Sequence, residues 1–317
     1  MFNRTQLEQA AGIVHRFIQP TAQYNWPLLC QRTGCDVWVK HENHTPTTAF
    51  KVRGGIHLMQ QIQQRPDKIR GLISATRGNH GQSLAYAGRQ ANIPVTIVVP
   101  ENNSLDQNRA IQSLGADLIV FGKDFEAARQ HSIELQQTYG YEAVPPFCRD
   151  LVLGVASYAL EFLSAVKDLH TVYVPIGMGS GICGLIKTRD ALGLKTEIVG
   201  VVAEGAPAFS LSFKAGKIIP TQDVNTIADG VATRSPLQEA FDIILAGASR
   251  IVTVTDEQIK SAMREYYLTT HNLAEGAGAT PLAALIKEQD NMKGKKVGLI
   301  LSGGMIDLEK FIGYVTP

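Results

Sequence analysis

The sequence predicts an α/β protein built on two parallel sheets. Three observations carry that expectation. Short apolar runs alternate with longer stretches of helical periodicity from Gly71 to Leu301. The alternation breaks once, at Val144-Pro145-Pro146, which reads as a domain crossing. Glycine-containing loops follow strand candidates and open helices, where ligands of open α/β sheets bind.

Residues 5–17 read as a helix, with a Thr5/Glu8 capping box and Leu7, Ala10, Ala11 and Val14 on one face. Asp36 to Lys40 is β-branched and aromatic, a strand. Val52 to Ile62 is helical. Gly71 to Ala75 is a short buried strand, and the loop Thr76-Arg77-Gly78-Asn79 leads into a helix ending near Arg89. Val95 to Val99 is a strand stopped by Pro100. A helix through Leu114, a strand from Asp117 to Phe121 and a helix through Thr138 follow. Past the prolines, Leu151 to Val166 is a helix and Thr171 to Val174 a strand. A loop at Gly177 to Gly181 then opens a helix from Ile182 to Ala191. Strands follow at Glu197 to Val202, Ile251 to Val254 and Val297 to Leu301, with helices near 256–271 and 276–288.

The 317 residues suggest about two domains. A hydrophobic content of 44% is ample for buried cores. A net charge of +1 gives no general attraction to nucleic acid or to an anionic membrane. No apolar run approaches the roughly 18 residues of a membrane helix, and the first residues lack a signal-peptide core. Cys30, Cys35, Cys148 and Cys183 show no zinc spacing, so reduced thiols and a cytoplasmic location are expected.

Thr47-Thr48-Ala49-Phe50-Lys51-Val52-Arg53-Gly54-Gly55 organises the rest. Its Lys51 is either a solvated charge at a helix start or an amine held near another cation, with a lowered pKa and nucleophilic. Gly177-Met178-Gly179-Ser180-Gly181 follows a strand and opens a helix, which suits a phosphate. Gly179-x-Gly181-x-x-Gly184 with Glu204 about 20 residues on also matches a dinucleotide pattern, which keeps a nicotinamide dehydrogenase in view. Asn79 is a helix cap or an amide aimed at a ligand oxygen, and His80 reads as packed or capping. Ser302-Gly303-Gly304 ends the last strand as a turn or as a hydroxyl at the mouth of the sheet.

Taken in order, these stretches resemble one family. Lys40-x-Glu42 with Ala49-Phe50-Lys51-x-Arg53-Gly54, Gly78-Asn79-His80-Gly81-Gln82, Thr226-Ile227-Ala228-Asp229-Gly230, Glu275-x-Ala277-Gly278-Ala279 and Ser302-Gly303-Gly304 resemble signatures of the fold type II pyridoxal-phosphate enzymes. The nearest members are serine/threonine dehydratases and serine racemases, and the matches span residues 40–304. The resemblance implies the tryptophan synthase β-like fold, with a large domain of residues 1–51 and 144–317, a small inserted domain of 52–143, and the active site between them.

It implies roles as well. Lys51 would hold pyridoxal 5'-phosphate as a Schiff base and shuttle the substrate α-proton. Phe50 would pack beside the ring, Asn79 would bond its 3-oxygen, and Ser302 would face its nitrogen. Gly177, Met178, Gly179, Ser180 and Gly181 would cradle the phosphate. Thr76, Arg77, Gly78 and His80 would meet the substrate. The implied reaction is β-elimination from a β-hydroxy L-amino acid such as threonine, serine or 3-hydroxyaspartate, giving a 2-oxo acid and ammonia. A racemase or a β-replacement enzyme is the alternative. A divalent cation, Mg or Ca, would sit at Glu204, the Ala208 carbonyl and a third position held here by Ser210, a poor hard-cation ligand. Relatives imply a homodimer. The chain departs from the family pattern at Ala49, Met178, Ser180, Gly276 and Met305. It also carries Arg77 where racemases carry a serine, which predicts little racemase activity because a guanidinium does not give up its proton.

Overall fold

A computed structural model describes residues 2–316. The chain opens on α1 (Arg4–His15), whose buried stripe is Leu7, Ala10, Ala11 and Val14 as expected. Its capping box is Asn3 with Gln6, two residues earlier than the expected Thr5/Glu8 pair, because Asn caps as well as Thr. Two unexpected elements follow, β1 (Gln23–Asn25) and α2 (Pro27–Thr33), before β2 (Asp36–His41). Three residues are too few for β1 to show an alternation.

After α3 (Lys51–Gln63) come β3 (Leu72–Ala75), α4 (Asn79–Ala91), β4 (Val95–Val99), α5 (Leu105–Ser113), β5 (Asp117–Val120), α6 (Phe125–Tyr139) and the two-residue β6 (Glu142–Ala143). The third part holds α7 (Arg149–Ala165), β7 (Thr171–Pro175), α8 (Ser180–Ala191), β8 (Glu197–Ala203), α9 (Ala208–Ala215), α10 (Gln238–Gly247), β9 (Arg250–Val254) and α11 (Asp256–Thr270). It ends with α12 (Gly276–Lys287), α13 (Gln289–Met292), β10 (Lys296–Leu301) and α14 (Leu308–Val315). The helices α9, α10 and α14 were not expected from the sequence.

The strands form two sheets. One runs β5-β4-β3-β6, all parallel. The other runs β1-β2-β10-β7-β8-β9, parallel except for β1. Both faces of the larger sheet are covered, which is why its strands read as continuous apolar runs and not as alternations. Val37, Val39, Val199, Val201, Leu299 and Leu301 pack on one side. Val172, Val174, Ile198, Val202 and Ile300 pack on the other. Fully burying each such side chain is worth roughly 1.5–3 kcal/mol, against about 1 kcal/mol spanned by strand propensity, so burial sets these strands. In the smaller sheet Leu72, Val95, Ile97 and Val99 pack with Val52, Ile56 and Met59 of α3.

The strand orders fix where a ligand crevice lies. In the smaller sheet the chain steps outward from β3 to β4 and β5, then returns to the other side of β3 as β6. In the larger sheet it steps from β7 to β8 and β9, then returns to the other side of β7 as β10. Each reversal opens a crevice at the carboxyl ends of the strands. The loops after β3, β7 and β10 emerge there, and these carry Thr76–Asn79, Gly177–Gly181 and Ser302–Gly304.

Candidate active site

Lys51 is the first residue of α3, and the last strand positions it. Ala49 forms an isolated antiparallel bridge with Gly303. The Phe50 N–H donates to the Ser302 carbonyl at 3.1 Å, and the Gly304 N–H donates to the Thr48 carbonyl at 3.0 Å. Thr48 takes φ 52°, a left-handed backbone that a β-branched residue rarely adopts. The short extended segment before Lys51 is thereby stitched to the segment after β10.

The Lys51 Nζ lies 5.4 Å from the centre of the Phe50 ring. Withdrawal from water pushes the Lys51 amine down to about 8, and Glu275 only partly opposes this. The neighbouring cation expected to lower it has no such part. Arg53 turns away from Lys51, with Nε donating to Glu42 at 2.6 Å and Nη1 to Glu161 at 2.5 Å. It is fully buried, and Lys40 joins the same cluster through Glu161. These residues of the motif serve the scaffold.

The loop after β7 is held from beneath. A Cβ on Gly177 would lie 2.2 Å from the Gly230 carbonyl oxygen. Gly230 is brought there because Thr226 Oγ1 donates to Asp256 at 2.6 Å and the Ile227 N–H donates to the same carboxylate at 3.1 Å. Gly179 takes φ 100° and caps α8. The helix therefore begins at Ser180, not at Ile182 as the sequence suggested, so Ser180 and Gly181 carry free N–H groups of its first turn. The Tyr158 hydroxyl donates to the Gly181 carbonyl at 2.9 Å, and Phe50 packs over Gly181. Met178 Sδ accepts from the Thr233 hydroxyl at 3.8 Å. Gly184, the third glycine of the dinucleotide pattern, faces the Ala156 backbone of α7 and serves helix packing.

Across the crevice, Gly78 caps α4 and Asn79 is its first residue, so Asn79 is not the cap. Its Nδ2 donates to Glu275 Oε1 at 2.9 Å and Oε2 at 3.2 Å, while its Oδ1 is buried with no partner among the described residues. Glu275, just before α12, entered the sequence reading only as part of a motif. Periodicity gives no signal for it, because its partners come from α4 and from the loop after β10. Thr76 is buried and its hydroxyl accepts from the Gly78 N–H at 3.3 Å. His80 is buried beside Lys51, and burial pushes it down to about 3, so it is neutral. Arg77 stays partly exposed, its Nη1 3.5 Å from Asn102 Oδ1. Ser302 is buried at the end of β10.

The cation positions fit poorly. Glu204 is exposed, and the buried Ser210 hydroxyl already accepts from Thr253 at 3.3 Å. No group of three or more His, Cys, Asp or Glu converges among the described residues, and no step is routed through a metal here. A surface groove of about 290 Å³ lies between α1, α3 and α7, and neither Lys51 nor the loops after β3, β7 and β10 line it. No helix is long and apolar enough to cross a membrane among the described residues.

Known proteins match this arrangement over nearly the whole chain. The family described as "Pyridoxal-phosphate dependent enzyme" matches residues 14–303. An L-threonine ammonia-lyase of Geobacter sulfurreducens is 32% identical over 98% of this chain and 77% of its own. An L-threo-3-hydroxyaspartate ammonia-lyase of Saccharomyces cerevisiae is 28% identical over 97% of this chain and 94% of its own. The structure of maize serine racemase superposes with a TM-score of 0.91 at 25% identity, covering 98% of this chain and 96% of that one. A nicotinamide dehydrogenase does not accord with these matches. The chain belongs to the fold type II pyridoxal-phosphate dependent enzymes, within the serine/threonine dehydratase family.

Proposed function

We propose that this chain is a dehydratase, or ammonia-lyase, of a β-hydroxy L-amino acid. The observation that carries the reading is the Lys51 amine, pushed down to about 8 at the switch-point crevice, with a glycine cradle and helix N-terminus nearby. In this reading residues 1–51 with 144–317 form the larger unit and residues 52–143 the smaller one.

The residues present suit the cofactor. Lys51 offers an amine to an aldehyde, Gly177 to Gly181 offer converging N–H groups to a phosphate, and Asn79 offers a buried amide. The chemistry that pyridoxal phosphate supplies when bound is a carbon open to amines and a ring that accepts an electron pair. Lys51 would hold it through that carbon. The Lys51 amine would also be placed to take the substrate α-proton. With a pKa of about 8 it offers roughly 300-fold more neutral amine at pH 7 than an ordinary lysine. The Ser302 hydroxyl would meet the ring nitrogen without supplying a charge, which would favour prompt loss of the β-hydroxyl over transamination. Thr76 and the N–H groups around Gly78 hold the substrate carboxylate. His80 stays neutral and acts by hydrogen bonding. Arg77 replaces the second proton carrier of a racemase, which supports elimination over racemisation.

The test is a spectrum and an assay. A violet absorbance fixed by borohydride, with ammonia release from β-hydroxy amino acids, is expected of the wild type. Lys51→Ala should lose both. Retained cofactor and turnover in Lys51→Ala would sink the reading. Interconversion of L- and D-serine as fast as ammonia release would favour the racemase.

A further inference from the structure

One carboxylate beside Lys51 has no part in the chemistry above. Glu275 occupies the cap position of α12, where a side chain ordinarily turns back to the helix N–H groups. It makes no such bond. It reaches instead to the Asn79 amide, joining α12 to α4 of the other sheet. Gly303 makes room for it, because a Cβ there would lie 2.7 Å from Oε1. Glu275 makes no salt bridge within 4.0 Å among the described residues. The charged groups facing it are Lys51 of α3, which favours its anion, and Asp229, which opposes it. Burial opposes the anion most, and although the Asn79 hydrogen bond and Lys51 favour it, the carboxyl is pushed up to about 7.

Asn79 completes the observation. Its Oδ1 is buried and unpartnered while both Glu275 oxygens sit on its Nδ2 side. The oxygen and nitrogen of an amide exchange places by a half rotation. With Glu275 ionised, the amide donates to it. With Glu275 protonated, the carboxyl donates its proton to Oδ1, and both amide hydrogens become free for the crevice. One proton from solvent separates the two states.

We propose that Glu275 is a positioning residue whose proton sets which side of the Asn79 amide faces the cofactor ring oxygen. The assignment rests on the functional reading given above. Below neutrality the amide presents a donor to that oxygen, and above neutrality it is drawn to the carboxylate.

The experiment is a pH titration of the absorbance of bound pyridoxal phosphate, read across neutrality for wild type, Glu275→Gln and Asn79→Ala. The wild-type absorbance is expected to titrate across neutrality. Glu275→Gln, permanently neutral and the same size, should keep the violet band and give a flat titration. Asn79→Ala should be flat as well, and it serves where the Gln variant does not fold. A flat wild-type titration with the band present overturns this assignment alone, and so does an unchanged midpoint in either variant. A wild type with no violet band overturns the functional reading and this assignment with it.

Discussion

Arg53 and Glu42 form a two-pronged ion pair sealed from solvent. The Arg53 Nε donates to Glu42 Oε2 at 2.6 Å and its Nη2 to Oε1 at 2.9 Å, and neither side chain is exposed. The same guanidinium holds Glu161 of α7, which also accepts from Lys40 at 2.5 Å. The arrangement ties α3 to β2 and α7 two residues beyond Lys51. Arg53→Met should therefore destabilise the protein by about 3–5 kcal/mol, because it leaves buried carboxylates short of a partner. Arg53→Lys should recover little of this, since an ammonium cannot fork. Urea denaturation of the variants measures both.

Lys51 carries a stability signature of its own. Its folded pKa of about 8 lies below its ordinary value of 10.5, so the folded state binds fewer protons between the two. Stability therefore rises with pH over that window, and the burial penalty is complete below about pH 8. Lys51→Met, free of cofactor, should be more stable than wild type at pH 7, by at most about 3 kcal/mol. The gap should close as pH climbs from about 8 to 10.5. Melting temperatures of the two cofactor-free proteins across that range check the sign.

The cradle separates two kinds of glycine. At Gly177 a methyl group would meet the Gly230 carbonyl at 2.2 Å, a backbone atom with little room to yield. Gly177→Ala should lose about 1–3 kcal/mol of stability along with cofactor affinity. At Gly181 the nearest atom would be Phe50 Cζ at 3.5 Å, an ordinary contact. Gly181→Ala should keep its melting temperature within a few degrees while altering cofactor affinity. Calorimetry beside cofactor titration tells the two apart.

Arg77 is the residue to test for substrate choice. Its guanidinium is partly exposed and, among the described residues, makes only a long contact to Asn102. If it pairs a second substrate carboxylate, Arg77→Ala should lose roughly 10–100-fold more activity on threo-3-hydroxyaspartate than on serine or threonine. Equal losses on all three substrates would remove that role.

The sequence made the repeating part of the fold legible. Val95 to Val99 was read without error, and most other expected elements match within a few residues, because buried parallel strands and amphipathic helices leave periodic marks. The short β1 and β6 left none. The helix α10 was missed although Ala240, Phe241, Ile243 and Ile244 line its buried face. At the site, the ordered motifs marked Lys51, the glycine loop, Asn79 and Ser302. They did not show that Arg53 faces away from Lys51 or that Glu275 meets Asn79. Both facts depend on where distant segments land, and spacing along the chain carries no record of that.

The position of β10 bears on how the protein is made. It is the last strand in the chain, yet it lies between β2 and β7 in the middle of the larger sheet. The smaller sheet has all its strands once residue 143 is synthesised, whereas the larger one needs residue 301. At ribosomal speed that difference is roughly 10–30 s. Until then β2 and β7 each wait with an unpaired edge, open to mispairing and to chaperones. A nascent chain stalled before β10 should thus hold one finished sheet and one that has not closed.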